Sequence, residues 1–353
     1  MAPVPIVQGG MGVGVSLSRL AASVANEGGI GVIASAGIGM NEPDFFTNYR
    51  EANLRALRRE IATARTLTKG ILGINIMIAL SNFAELAQTA MEAGIDIIFS
   101  GAGMPLSLPQ YRPPNTKTKL VPIVSSGRAA ALLCKHWLAK YDYIPDALVV
   151  EGPKAGGHLG FKKSQINDPD YKLENLVVDV IIEARKFESL YGKKIPVIAG
   201  GGIYNGADIK SFIDLGVDGV QMGTRFVATH ECDADIEFKK QYIDARPEDI
   251  VIIDSPVGMP GRAIRNKYLD DVTSGIKKPI KCPYHCIKTC DFKCAPYCIA
   301  NALISAQRGR LIHGFAFAGA NAHLVTEIIS IKELITSLIT EYNNACQDVI
   351  KTS

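Results

Sequence analysis

Residues 196–224 read PVIAGGGIYNGADIKSFIDLGVDGVQMGT. A short apolar run, Pro196 to Ala199, ends in three glycines, and a second run, Gly219 to Met222, ends in Gly223 and Thr224. An apolar run followed by a glycine turn and a return to another such run is the signature of a βα repeat. Six further runs of the same kind precede these two: Pro5 to Gln8, Gly31 to Ala34, Ile71 to Ile78, Ile97 to Ser100, Leu120 to Val124 and Ala147 to Glu151. Most are rich in Val and Ile and almost continuously apolar, as strands covered on both faces must be. Helical patterns separate them, for example Leu17 to Asn26, Pro43 to Thr66, Ala84 to Ala93 and Val177 to Leu190. Eight strands and their helices within 230 residues predict an α/β protein built as a (β/α)8 TIM barrel. The competing arrangement is an open doubly wound sheet. The connection from Met104 to Lys119 is proline-rich and too irregular for a good helix.

Beyond Phe226 the rhythm stops. Residues 1–230 are expected to form the barrel, and residues 231–353 a helical, cysteine-rich appendage or lid, ending in a helix (Ile328 to Tyr342) that packs back on the barrel. The remaining composition bounds what such a protein does. Of 353 residues 47% are hydrophobic and 21% charged, enough for a large core. Lysine plus arginine number 38 against 35 acidic residues, so the net charge of +3 provides no basic field, and no nucleic-acid partner is expected. No run of eighteen apolar residues predicts a membrane span, and the first residues do not pattern as a signal peptide. A cytoplasmic location follows as an expectation.

Segments rich in glycine or serine follow nearly every apolar run: QGGMG, ASAG, FSGAG, VSSG, EGPKAGGH, AGGGI and MGTR. In a barrel they share the carboxyl face, where small residues let a flat or phosphorylated ligand approach backbone N–H groups. Glycine also simply closes βα turns, so no single loop decides the matter. Gly200, Gly201 and Gly202, paired with Met222, Gly223 and Thr224, stand where barrels commonly bind phosphate. A helix N-terminus expected after each would add bare N–H groups and a positive dipole end. In EGPKAGGHLGF (151–161) glycines surround one histidine directly after a strand. His158 ordinarily titrates near neutrality and is the candidate acid or base. Lys154 in the same loop reads as an exposed lysine, and Phe315 and Phe317 as core.

Together QGGMG (8–12), GINI (73–76), EGPKAGGHLG (151–160), VIAGGGI (197–203) and GVDGVQMGTRF (216–226) resemble the nitronate monooxygenase (2-nitropropane dioxygenase) family. That superfamily includes the FMN-dependent enoyl-acyl-carrier-protein reductases. The resemblance implies a TIM barrel holding non-covalent FMN. Carried over position by position, Gly9, Gly10 and Met11 would line the flavin and Asn75 would hydrogen-bond its ring. Glu151, Gly156 and Gly157 would flank the cofactor. Gly201, Gly202, Gln221, Gly223 and Thr224 would hold its ribityl phosphate, and His158 takes the catalytic position. QGGM is closer to the reductase branch than to the monooxygenase branch, where a proline usually precedes the methionine. The implied activity is oxidation of alkyl nitronates by dioxygen. The alternatives are NAD(P)H-dependent reduction of an enoyl thioester, carried on acyl carrier protein for example, and a flavin- or metal-binding protein without turnover. Small-molecule substrates are common to both enzymatic readings, and a homodimer is compatible with all three.

Five of the eight cysteines recur every fourth residue, at Cys282, Cys286, Cys290, Cys294 and Cys298. On one continuous helix that spacing advances about 6 Å and turns about 40° per step, so the five would span about 24 Å and could not converge. Pro283 and Pro296 argue against such a helix in any case. A folded loop would let three or four thiolates gather on zinc or an iron–sulfur cluster, with His285 as an additional ligand. Reduced structural thiols and disulfides are the other readings.

Overall fold

A computed structural model describes residues 2–276 and 282–352. Its strands are β1 (Ile6–Gln8), β2 (Gly31–Ala34), β3 (Leu72–Met77), β4 (Ile97–Gly101), β5 (Lys119–Val124), β6 (Leu148–Glu151), β7 (Gly157–His158), β8 (Val197–Gly200), β9 (Gly219–Met222), β10 (Ile250–Asp254) and β11 (Pro260–Ile264). Eight of them pair in parallel in the order β1-β9-β8-β6-β5-β4-β3-β2, and each coincides with one of the eight apolar runs to within a residue at either end. The two ends of that order meet. Val7 bridges Ile30 in parallel, the Gln8 N–H donates to Ile30 O at 2.9 Å, and the Ile30 N–H donates to Ile6 O at 2.9 Å. The sheet is therefore a (β/α)8 barrel, and the open doubly wound alternative is excluded.

Side-chain alternation assigns each strand two jobs. Val7, Val32, Phe99, Val121, Val149 and Ile198 pack together inside the barrel. Their neighbours Ile33, Ile98 and Leu120, and likewise Ile6, Leu148 and Val197, join clusters beneath the helices. Gly73 on β3 leaves room for the largest interior ring: a Cβ there would stand 2.7 Å from Phe99 Cε2. Gln8 is the polar exception. Its fully buried amide accepts from the Val32 N–H at 2.9 Å and so stitches the seam between β1 and β2.

Helices cover the barrel at Ser18–Asn26, Tyr49–Leu67, Phe83–Glu92, Gly127–Tyr141, Leu173–Tyr191 and Gly206–Asp214. Between β4 and β5 a single 3-10 turn, Leu108–Tyr111, replaces a helix, as the prolines predicted. After the barrel come helices Ile236–Asp244, Lys267–Thr273 and Ile299–Gln307, and a final helix Ile331–Thr352. The last packs back on the barrel through buried Ile331, Leu334, Ile335 and Leu338. It lies against the helix Gly206–Asp214, where a Cβ on Gly206 would meet Tyr342 N at 2.2 Å. Among the described residues no helix is long and apolar enough to cross a membrane.

Besides the expected helices, the appendage contains strands that its sequence does not announce. β10 and β11 form an antiparallel hairpin, and β11 pairs with β7, placing Gly261 opposite His158 and Arg262 opposite Gly157. The run IVIID (250–254) is short and apolar without a clear period, and its partner begins on a proline and a glycine, so neither announces itself as a strand.

Candidate active site

A cavity of 280 Å³ opens at the carboxyl ends of the barrel strands. Its wall includes His158 and all twelve residues expected to hold a cofactor: Gly9, Gly10, Met11, Asn75, Glu151, Gly156, Gly157, Gly201, Gly202, Gln221, Gly223 and Thr224. They come from the ends of five barrel strands or the loops after them, which is why only a closed barrel brings them together.

The glycines are needed at particular places. A Cβ on Gly10 would lie 2.3 Å from Asn75 Cβ, and one on Gly156 would lie 2.6 Å from Ala318 C. Gly201 and Gly202 adopt φ of 108° and 88°, which other L-residues rarely reach. Their N–H groups have no partner among the described residues. Two adjacent bare N–H donors on a cavity wall fit an anion.

The helix expected to reinforce them does not. Side chains take up two N–H groups at the N-terminus of Gly206–Asp214: Asn205 accepts from Asp208 N at 2.8 Å, and Glu341 Oε2 of the final helix accepts from Gly206 N at 2.8 Å. Asp208 Oδ2 in turn accepts from the backbone of Tyr204 and Asn205. The donors facing the cavity are those of the glycine turn. After β9 the helix is a single turn, Thr224–Val227.

His158 sits on β7 with its ring edge-on to Phe317, centroids 4.9 Å apart, and its Nε2 hydrogen-bonds with Ser255 Oγ at 2.7 Å. Burial holds the imidazole down at about 4, so it is neutral at neutral pH. Glu151 is moved the other way, up to about 7, because its carboxylate would be desolvated. Two titratable groups seven positions apart in the chain thus face one cavity with their proton affinities driven in opposite directions.

Several residues at the site were not legible as functional. Ser255 belongs to the hairpin turn, where its N–H donates to Met259 O at 3.2 Å. Arg262, 6% exposed, donates from one Nη to both Pro153 O and Ala155 O at 2.6 Å, clamping the loop that carries His158. Burial lowers its guanidinium to about 10, which still leaves it charged. Lys154 is exposed as expected, but it lines the cavity with its stem over Gly202. Phe315 is core, whereas Phe317 lines the cavity, correcting half of that expectation. The segment 318–321 closes over the glycine turns: Gly319 N donates to Thr224 Oγ1 at 3.2 Å, Ala320 N to Lys154 O at 3.0 Å, and Asn321 Nδ2 to Gly202 O at 2.7 Å.

The segment 282–298 folds as a loop. All eight cysteines are free, and Cys282, Cys286, Cys290 and Cys298 line a second cavity of 260 Å³ together with His285, whereas Cys294 is exposed and outside it. The folded loop thus brings four of the five thiols to one cavity, and Cys294 is the one left out. Among the described residues no three His, Cys, Asp or Glu side chains are grouped as ligands for a metal ion.

The family model for nitronate monooxygenase matches residues 2–341. The chain belongs to that family. Its members are oxidoreductases, and the family implies a flavin. A curated relative from Mycobacterium tuberculosis (strain ATCC 25618 / H37Rv), (3aS,4S,5R,7aS)-5-hydroxy-7a-methyl-1-oxo-octahydro-1H-indene-4-carboxyl-CoA dehydrogenase, is 27% identical over 271 residues, 77% of this chain and 66% of that one. The chain thus spans just under two thirds of the length of that relative. The "probable nitronate monooxygenase" of Staphylococcus aureus (strain Newman) is 26% identical over 308 residues, 76% of this chain and 77% of its own. Among solved structures, FabK from Thermotoga maritima superposes with a TM-score of 0.76 at 26% identity, covering 100% of this chain and 96% of that one.

Proposed function

We propose that this member of the family is an FMN-dependent oxidoreductase that oxidises alkyl nitronates with dioxygen to a carbonyl compound and nitrite. One observation carries the reading: the bare N–H groups of Gly201 and Gly202 and the neutral imidazole of His158 line the same cavity. The flavin, when bound, supplies the exchange of electrons with a substrate carbon and with dioxygen. Gly201, Gly202, Gly223 and Thr224 would hold its phosphate, with the ammonium of Lys154 beside them. Gly9, Gly10, Met11, Asn75, Glu151, Gly156, Gly157 and Gln221 would flank the rest. In this assignment residues 1–230 are the FMN-binding barrel and residues 231–353 its lid.

His158 meets substrate as a neutral imidazole, accepting or donating a hydrogen bond, and not as a resting cation. Ser255 fixes the ring through Nε2, which leaves Nδ1 for the substrate side. Phe317 packs edge-on against the same ring and restrains its orientation.

A second reading, reduction of an enoyl thioester by NAD(P)H, is favoured by the same neutrality. An uncharged imidazole suits a neutral thioester as well as an anion, and the QGGM motif points toward that branch. The mycobacterial relative carries a coenzyme A ester in its name. In that case His158 would hold the proton destined for the substrate α-carbon.

Anaerobic reduction of the purified protein with NADPH, followed by an enoyl thioester without air or by a nitronate in air, separates the readings. Oxygen uptake and nitrite release from nitronate without NADPH support the proposal. Rapid reoxidation by the thioester supports the second reading, and neither response would make the protein a carrier without turnover.

A further inference from the structure

The second cavity is absorbed by neither reading, and it does not touch the first. We propose that Cys282, Cys286, Cys290 and Cys298 ligate an iron–sulfur cluster in the cavity they line. The inference does not depend on which substrate the barrel takes.

Three observations support a cluster over a single ion. First, four thiols line one 260 Å³ space. A tetrahedral zinc site draws its four sulfurs within about 2.3 Å of one point and leaves no cavity. Second, no three ligand-type side chains are grouped as a metal site among the described residues. In a polynuclear cluster the thiolates bind different irons and stand correspondingly farther apart, so four thiols spread around a space fit it better than they fit one ion.

Third, the surroundings suit bound thiolates. His285, held at a φ of 45° that non-glycine residues seldom adopt, donates its backbone N–H to Cys282 Sγ at 3.4 Å. Cys298 is the N-cap of the helix Ile299–Gln307, so its sulfur stands at the positive end of that dipole. Such N–H donors and dipoles are among the levers that set cluster potentials.

The cluster would also be a staple. The Ser81 N–H donates to Cys286 O at 3.0 Å and the Lys288 N–H to Ala79 O at 2.9 Å, so the thiol loop is hydrogen-bonded to the turn after β3. Farther along the same helix, Leu303 lines the barrel cavity, five residues or about 7.5 Å of helix rise from Cys298.

The test uses the full chain, expressed with added iron and purified without oxygen. Iron and acid-labile sulfide in equal amount, with an EPR signal after dithionite reduction that is distinct from a flavin radical, are expected for the wild type and for Cys294→Ser. Cys286→Ser and Cys298→Ser should each lose most of the iron and sulfide. Should those substitutions, at positions packed against a core cluster, yield no soluble protein, Cys290→Ser, outside that cluster, gives the same comparison. Zinc in place of iron, absence of both metals, or undiminished iron in the Cys286, Cys298 or Cys290 variants would overturn the proposal. Flavin content and nitronate turnover are measured separately, so failure here leaves the barrel assignment standing.

Discussion

His158 and Glu151 illustrate how a single loop can fix two proton affinities. Both are displaced by desolvation, and because one is a base and the other an acid the displacement has opposite sign. His158→Ala is expected to leave flavin content unchanged and to lower kcat by about a hundredfold, the usual worth of a positioned proton-transfer group. Flavin absorbance and turnover measured on one sample check both halves. The pH profile of kcat/KM should show no limb near 6.5 from the imidazole, which is already neutral above about 4. A limb near 7 belongs to Glu151 and should vanish in Glu151→Gln. Persistence of that limb in the variant would assign it elsewhere. Of these residues His158 was legible because a lone histidine among glycines after a strand is an unusual pattern. Ser255 was not, since ninety-seven positions separate it from the imidazole it holds.

Among elements, the β10/β11 hairpin is the piece that joins the appendage to the histidine loop. Arg262 projects from β11 onto two carbonyls of the histidine loop, and its charge survives burial because those oxygens replace water. Arg262→Leu should cost about 1–3 kcal/mol in urea unfolding, since two buried carbonyls lose their donor. It should also lower kcat more than it raises KM, because the loop that positions His158 is released. The packing of the first helix on β2 is equally specific. A Cβ on Gly31 would stand 1.8 Å from Ala21 O, so Gly31→Ala forces the helix Ser18–Asn26 outward. Overpacking of this kind costs about 1–3 kcal/mol. Thermal unfolding reads it directly, and an unchanged midpoint would show that the helix can move freely. Gly10→Ala tests the cavity in the same way: crowding Asn75 should weaken flavin retention on gel filtration while the fold persists.

At the scale of the whole molecule, pH links the site to stability. Glu151 has a higher proton affinity folded than unfolded, so its contribution is fully present below about 4.5 and is lost as pH rises through about 7. His158 has a lower one, so its contribution is present above about 6.5 and is lost as pH falls toward about 4. The two oppose each other between 4.5 and 6.5. Urea midpoints of wild type and Glu151→Gln should therefore diverge in favour of the variant as pH rises from about 4.5 to 7 and run parallel above it. The barrel itself was readable from the chain alone, because strands buried on both faces must be continuously apolar and glycine must follow where the backbone turns under a ligand. Of the thirteen cavity residues, Gly201, Gly202, Gly223, Thr224 and His158 were readable because they follow strand ends, whose common face is dictated by the repeat, and the other eight came only from the family resemblance. Tertiary structure alone decided the rest: that Gln8 serves the seam, that the helix after β8 spends its N-terminus on Asn205 and Glu341, that a hairpin grips the histidine loop, and that four thiols of five share a cavity. The seam, the Glu341 contact and the grip of the hairpin join segments distant in sequence, and periodicity, which reports only a residue's own element and face, contains no term for the partner.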